Sequence, residues 1–249
     1  PAGYRCPGVE PEWKGSEQMP SIPNPAVVED DRCLPWTLSE GRSTAVDVTR
    51  LKVSSKAKRE YEKACDANHK KDLDQAEQHA RSALSDFQNY APAWVLLGLI
   101  LDQQDKGSEA NDACAHAVTA DATYLPGYLC EAELAAKNLG WDQSLKMATL
   151  GLGLNSVGDG YANYYRASAY LHRNQLDDAK KSALQAEKID AKRIETPLDF
   201  LLAQIYDAQG DKANAEAQLR KILKRHNDPQ QESAAKEFLA RLESQQNVQ

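Results

Sequence analysis

The side chains best suited to chemistry in this 249-residue chain are five histidines, five cysteines and a large complement of carboxylates. The histidines are His69, His79, His116, His172 and His226, and no two share the four-residue spacing that lets imidazoles on one helix face hold a zinc ion. No Cys-x-x-Cys occurs, which removes ribbon-type metal sites and a thioredoxin-like redox pair. G-x-S-x-G is absent. The run Gly151-Leu-Gly-Leu-Asn-Ser-Val-Gly158 has the glycines of a phosphate loop. It follows a helical stretch rather than a strand, however, and reads as a helix C-terminus with a left-handed glycine cap. Asp and Glu are spread along helical faces, where they serve as solubilising charge. These patterns assemble no catalytic constellation, metal site or cofactor site, so the chain is expected to be non-enzymatic.

Charge and hydropathy narrow the partners. Lys and Arg number 30 against 37 Asp and Glu, a net charge of −7. That balance argues against nucleic-acid phosphate as the ligand, since affinity there comes from clustered cations releasing counterions. No run of 18 apolar residues exists to span a membrane.

The elements that must position any functional side chain change character near residue 50. Residues 1–50 hold seven of the eleven prolines, which excludes long helices there. Residues 1–54 therefore read as an extended proline-rich arm, with a short strand at 44–53 that places Val46 and Val48 on one face. From residue 55 onward Ala, Leu, Glu, Lys and Gln dominate. The small residues Ala76, Ala110, Ser144, Ala179 and Ala215 anchor five copies of a unit, spaced by 34, 34, 35 and 36 residues. Twelve residues before each anchor stand Ala64, Gly98, Ala132, Ala167 and Ala203, and seven after stand Ala83, Ala117, Gly151, Ala186 and Ile222. Small side chains at such points let two antiparallel helices approach closely. Pro92, Pro126 and Pro197 sit where a first-turn proline loses no hydrogen bond.

With Trp94, Leu97, Gly98, Leu101, Ala110 and Ala117 in consensus order and spacing, the sequence resembles the tetratricopeptide repeat (TPR) family. The resemblance implies an all-α superhelical solenoid: five helix-turn-helix repeats over 55–229, then a capping helix and tail over 230–249. Ten helices in five antiparallel pairs are expected over 57–229, with the capping helix around 230–245. The usual inter-repeat proline is replaced by Gln88, Ala122, Ser156 and Ala191.

In this family the first helix of each repeat lines a concave groove. The positions carried over include Tyr61, Val95, Leu99, Leu129, Tyr161, Tyr164, Phe200 and Gln204, with Lys58, Asn68, Asp102, Glu133 and Ser168 beside them. That groove is apolar and aromatic. The sites that family members use to clamp a terminal carboxylate hold Tyr61, Cys65, Leu96, Pro126 and Cys130 here, so that activity does not carry over. An extended apolar or proline-rich polypeptide is the ligand such a groove suits. The arm supplies one, with Trp13, Ile22, Val27, Val28, Leu34 and Trp36 among its prolines. Docked on its own groove the arm predicts a monomer; docked on a neighbour it predicts a head-to-tail homo-oligomer.

In a TPR stack Cys114 and Cys130 fall on neighbouring helices, where they form either a bridge or two buried thiols. Cys6 and Cys33 bracket the arm, and a disulfide between them would fix a segment that has no core. Cys65 is left as a free thiol. The cysteines and the missing initiator Met point to export into an oxidising compartment, extracellular or periplasmic. The expected function is a scaffold that self-assembles through its arm and repeat surfaces into an extracellular oligomer or filament. The alternatives are an adaptor for an extended peptide of another protein, or an accessory domain of an envelope complex.

Overall fold

The computed structural model describes residues 53–154, 159–190, 195–225 and 228–246. All regular structure among them is helical. The described residues fall into two compact units, one within Pro23–Ile194 and one within Glu195–Gln249. In the first unit lie α1 (Ser55–His69), α2 (Leu73–Asp86), α3 (Ala91–Gln103), α4 (Gly107–Ala120), α5 (Leu125–Lys137), α6 (Trp141–Leu154), α7 (Gly160–His172) and α8 (Leu176–Asp190). In the second lie α9 (Glu195–Ala208), α10 (Lys212–Arg225) and α11 (Pro229–Gln246). Each odd helix of the first ten packs against the even helix that follows it, giving five antiparallel pairs, and α11 packs on α10.

A single backbone device makes the pairs. Between the two helices of each pair are three residues, and the middle one is left-handed: Lys71, Asp105, Leu139 and Asn174 at φ 58–61°, and Gly210 at φ 77°. The next residue donates back to a carbonyl in the last turn of the first helix, as in Asp72 N–H to Ala67 O at 3.0 Å and Lys106 N–H to Leu101 O at 2.9 Å. The same bond joins Gly140 to Ala135, Gln175 to Tyr170 and Asp211 to Tyr206. This is a Schellman closure, which satisfies the helix-end carbonyls and reverses the chain. Side chains at the following helix starts complete the turn: Asp72 accepts from the Gln75 amide and Asp211 from the Asn214 amide. The helix end expected in the Gly151–Gly158 run is the C-terminus of α6 at Leu154; Gly151 and Gly153 lie within that helix, and Gly158 lies outside the described residues. Among the described residues the glycine with positive φ is Gly210.

Small side chains at the helix crossings hold each pair together. Ala64, Ala132, Ala167 and Ala203 on first helices, and Ala76, Ala110, Ser144, Ala179 and Ala215 on second helices, are all fully buried. At Gly98 a Cβ would stand 2.7 Å from Cys114 Sγ and 3.3 Å from the Ala110 carbonyl oxygen, closer than packed atoms tolerate. The repeat also governs polar contacts: Trp94 donates its indole N–H to Gln88 O at 2.7 Å, and Tyr128, 34 residues on, donates its hydroxyl to Ala122 O at 3.0 Å. Helix α3 packs against α1, α2, α4 and α5. That placement explains why its residues from Ala91 to Leu101 are almost all apolar and buried.

In the second unit Leu198, Leu202, Ile205, Leu219, Ile222, Phe238 and Leu242 form the core. The carboxylate of Asp199, 6% exposed, is bonded by Arg225, with Lys221 at 3.8 Å. Arg241 reaches Asp207 at 3.1 Å and lies over the Phe238 ring.

Candidate interaction surface

The first helices of the Pro23–Ile194 unit stand side by side, α1 against α3, α3 against α5 and α5 against α7. The order brings one side chain set into a row: Tyr61 on α1, Val95 and Leu99 on α3, Leu129 and Glu133 on α5, Tyr161, Tyr164 and Ser168 on α7. Tyr61, Val95, Leu129, Tyr161, Tyr164 and Ser168 are buried, each 4% exposed or less. Leu99, Asp102 and Glu133 are half-buried and Lys58 is exposed. The row is thus a packed apolar floor with a polar rim. Tyr61 packs on Tyr90 with ring centroids 5.1 Å apart, and Tyr164 meets Tyr165 edge-on at 5.4 Å. Phe200, buried, and Gln204, half-buried, lie on α9 in the other unit. The arm residues Trp13, Ile22, Val27, Val28, Leu34, Trp36, Val46 and Val48 lie outside the described residues, as does the 44–53 segment except Val53.

Glu133 gives the row its electrostatic character. Protein surrounds its carboxyl although the residue as a whole is half-buried, and loss of hydration pushes its pKa from 4.5 up to about 7. The Tyr165 phenol beside it and Lys137 favour the ionised form, whereas Asp102 opposes it. Lys137 is itself held by Asp102 at 2.7 Å. Burial also drives the phenols of Tyr164 and Tyr165 upward, and the Glu133 charge adds to both. The Tyr165 hydroxyl and the Ser168 Oγ, both buried, make no full hydrogen bond. Near neutral pH this carboxyl exchanges between hydrogen-bond donor and charged acceptor. Position in the repeat placed Glu133 on the row; its enclosure was not readable from the sequence.

The cysteines divide differently from the reading of the sequence. Cys114 on α4 and Cys130 on α5 are joined, with Cα atoms 5.6 Å apart, inside the range a disulfide spans. Cys65, expected to be a free thiol, is disulfide-bonded too. The Cys6–Cys33 pairing lies outside the described residues. Two features had no signal in the sequence. Trp94 stacks on His116 at 4.6 Å and Trp141 on His172 at 3.7 Å, and burial lowers the His172 pKa. Leu150 and Leu154 on α6 and Leu184 on α8 are exposed leucines away from the row. Among the described residues no group of three His, Cys, Asp or Glu side chains could hold a metal ion, and no helix is long and apolar enough to cross a membrane.

Helix pairs closed by the same left-handed turn, recurring at 34 to 36 residues, decide the architecture. The fold is that of tetratricopeptide repeat proteins. Solved structures agree. A thermophilic TPR protein of Thermus thermophilus is 17% identical, with a TM-score of 0.61 over 74% of this chain and 99% of that one. A TPR protein of Parabacteroides merdae is 18% identical, with a TM-score of 0.61 over 76% and 73%. A third, described as a TPR protein with an unusual peptide-binding site, is 15% identical, with a TM-score of 0.55 over 78% and 100%. No family model and no curated protein matches the sequence.

Proposed function

We propose that the protein is a non-enzymatic scaffold that binds polypeptide and self-assembles, the proline-rich arm of one copy engaging the first-helix row of the next. One observation carries the reading: α1, α3, α5 and α7 set an apolar, tyrosine-rich row along one unit. The partly exposed Leu99 and Glu133 stand at its rim. An extended chain would meet this row at the half-buried Leu99, Asp102 and Glu133, over a floor of buried side chains. Within the same sequence, Trp13, Ile22, Val27 and Val28 lie among prolines that lower the entropy lost on staying extended. A contact between unlike surfaces of successive copies propagates into a ring or a filament. Disulfides suit an oxidising compartment, and we place the assembly outside the cytoplasm. A second reading, a groove for an extended peptide of another protein, is favoured by the structural neighbour described as carrying a peptide-binding site.

Two differently tagged copies of the full chain, mixed and purified through one tag, test the first reading. Self-assembly predicts that the second tag is retained, and lost when Trp13, Val27 and Val28 are all replaced by Ser. Retention unaffected by these substitutions contradicts the role of the arm.

A further inference from the structure

The Glu133 corner of the first-helix row holds more polar capacity than its neighbours use. Asp102 on α3 is taken by Lys137, whose ammonium donates to both carboxylate oxygens at 2.7 and 2.9 Å. Glu133 on α5 has no ion pair among the described residues. Helix α7 packs against α5 and carries Tyr165 and Ser168, 3% and 1% exposed. The Tyr165 hydroxyl lies beside the Glu133 carboxyl, and Ser168 follows one turn along α7. Neither Tyr165 Oη nor Ser168 Oγ completes a hydrogen bond. Buried hydroxyls without partners are uncommon in folded proteins. Leu99 and Glu133 itself are half-buried, so the corner is reached from the surface of the row.

We propose that Glu133, Tyr165 and Ser168 form a subsite for the ammonium group of a lysine side chain, presented by the extended polypeptide that occupies the row. This subsite rests on the polypeptide-binding role proposed for the row, and it names one side chain of that ligand. Complementarity selects the ammonium. Its three donors match one carboxylate and two hydroxyl oxygens, and its charge balances a carboxylate that Lys137, held by Asp102, leaves without an ion pair. A lysine also lays its flexible four-carbon stem along apolar surface, here Leu99, and carries the charge below the rim. An acidic side chain would meet Glu133 and Asp102 instead.

The groups that act on the Glu133 carboxyl are Asp102 on α3, Lys137 on α5 and Tyr165 on α7; α4 and α6, the other helices on α5, contribute none. Loss of hydration leaves the unliganded carboxyl partly protonated near neutral pH, and an arriving ammonium favours the ionised form. Binding therefore expels a proton and strengthens as the pH rises from 5 to 8.

Isothermal titration of the full chain with acetyl-Pro-Leu-Pro-Xaa-Pro-Leu-Pro-amide, Xaa being lysine, norleucine or arginine, tests the assignment. At pH 8 the lysine peptide should bind about tenfold or more tighter than the norleucine peptide. Glu133→Gln should remove most of that advantage and leave norleucine binding unchanged. Tyr165→Phe and Ser168→Ala should each remove part of it, and pH 5 should abolish it in the wild type. Equal binding of the lysine and norleucine peptides overturns the subsite and leaves the polypeptide-binding role standing. So does an advantage that survives Glu133→Gln or stays constant between pH 5 and pH 8. An arginine peptide that binds as tightly as the lysine peptide overturns the choice of an ammonium. If none of the three peptides binds, the polypeptide-binding role of the row falls, and the subsite with it.

Discussion

Replacing Glu133 by Gln should change how the stability of the protein depends on pH. In the folded chain the carboxyl holds its proton up to about pH 7, against 4.5 in the open chain. Between those values the folded state binds more protons than the unfolded one, so stability falls as pH rises through this window and levels off above it. At 1.36 kcal/mol per pKa unit the full loss is at most about 3.4 kcal/mol, and on the order of 2–3 kcal/mol once the partial exposure of Glu133 is allowed for. Gln keeps the shape and cannot ionise. Urea denaturation at pH 5, 6, 7 and 8, with the Glu133→Gln chain as reference, isolates the effect from other titrating groups. Wild type and variant should be nearly equal at pH 5. At pH 8 the variant should be more stable by about 2 kcal/mol or more. A difference that stays constant from pH 5 to pH 8 would refute an enclosed carboxyl beside Tyr165, Asp102 and Lys137.

Gly98→Ala should lower stability by about 1–3 kcal/mol in the oxidised protein, because the added Cβ meets Cys114 Sγ at 2.7 Å and the disulfide limits its retreat; thermal melts check this. Leu139→Gly should raise stability by roughly 0.5–1 kcal/mol, since Leu139 holds φ 59° at 63% exposure and glycine carries no left-handed penalty there; denaturant titration reads it. Arg225→Ala should cost about 3 kcal/mol by leaving the Asp199 carboxylate short of its close partner, and Asp199→Asn in the same chain should recover part of the loss in a double-mutant cycle.

The fold was legible because close helix crossings admit few side chains. Ala, Gly and Ser at the same two points of every unit mark the register, and the spacings of 34, 34, 35 and 36 residues recur in the left-handed residues from Lys71 to Gly210. Those turn residues were not legible themselves. Four of the five are not glycine, so packing of the two helices imposes the conformation rather than residue preference. A helix does end within the Gly151–Gly158 run, α6 at Leu154, but Gly151 and Gly153 are not its cap and Gly158 lies outside the described residues. Gly151 is small because a Cβ there would meet Leu125 Cδ1 at 2.9 Å, not because the chain turns. Repeat position placed Tyr61, Val95, Leu129 and Tyr164 on one row, but burial depends on what surrounds each residue in three dimensions. The enclosure of Glu133 and the bond at Cys65 therefore came only from the structure.

Sedimentation velocity of the full chain over a hundredfold range of concentration tests the central claim most directly. Self-assembly through the arm predicts species larger than the 27.5 kDa chain that grow with concentration. They should vanish when Trp13, Val27 and Val28 are replaced by Ser. A single 27.5 kDa species at every concentration would contradict it.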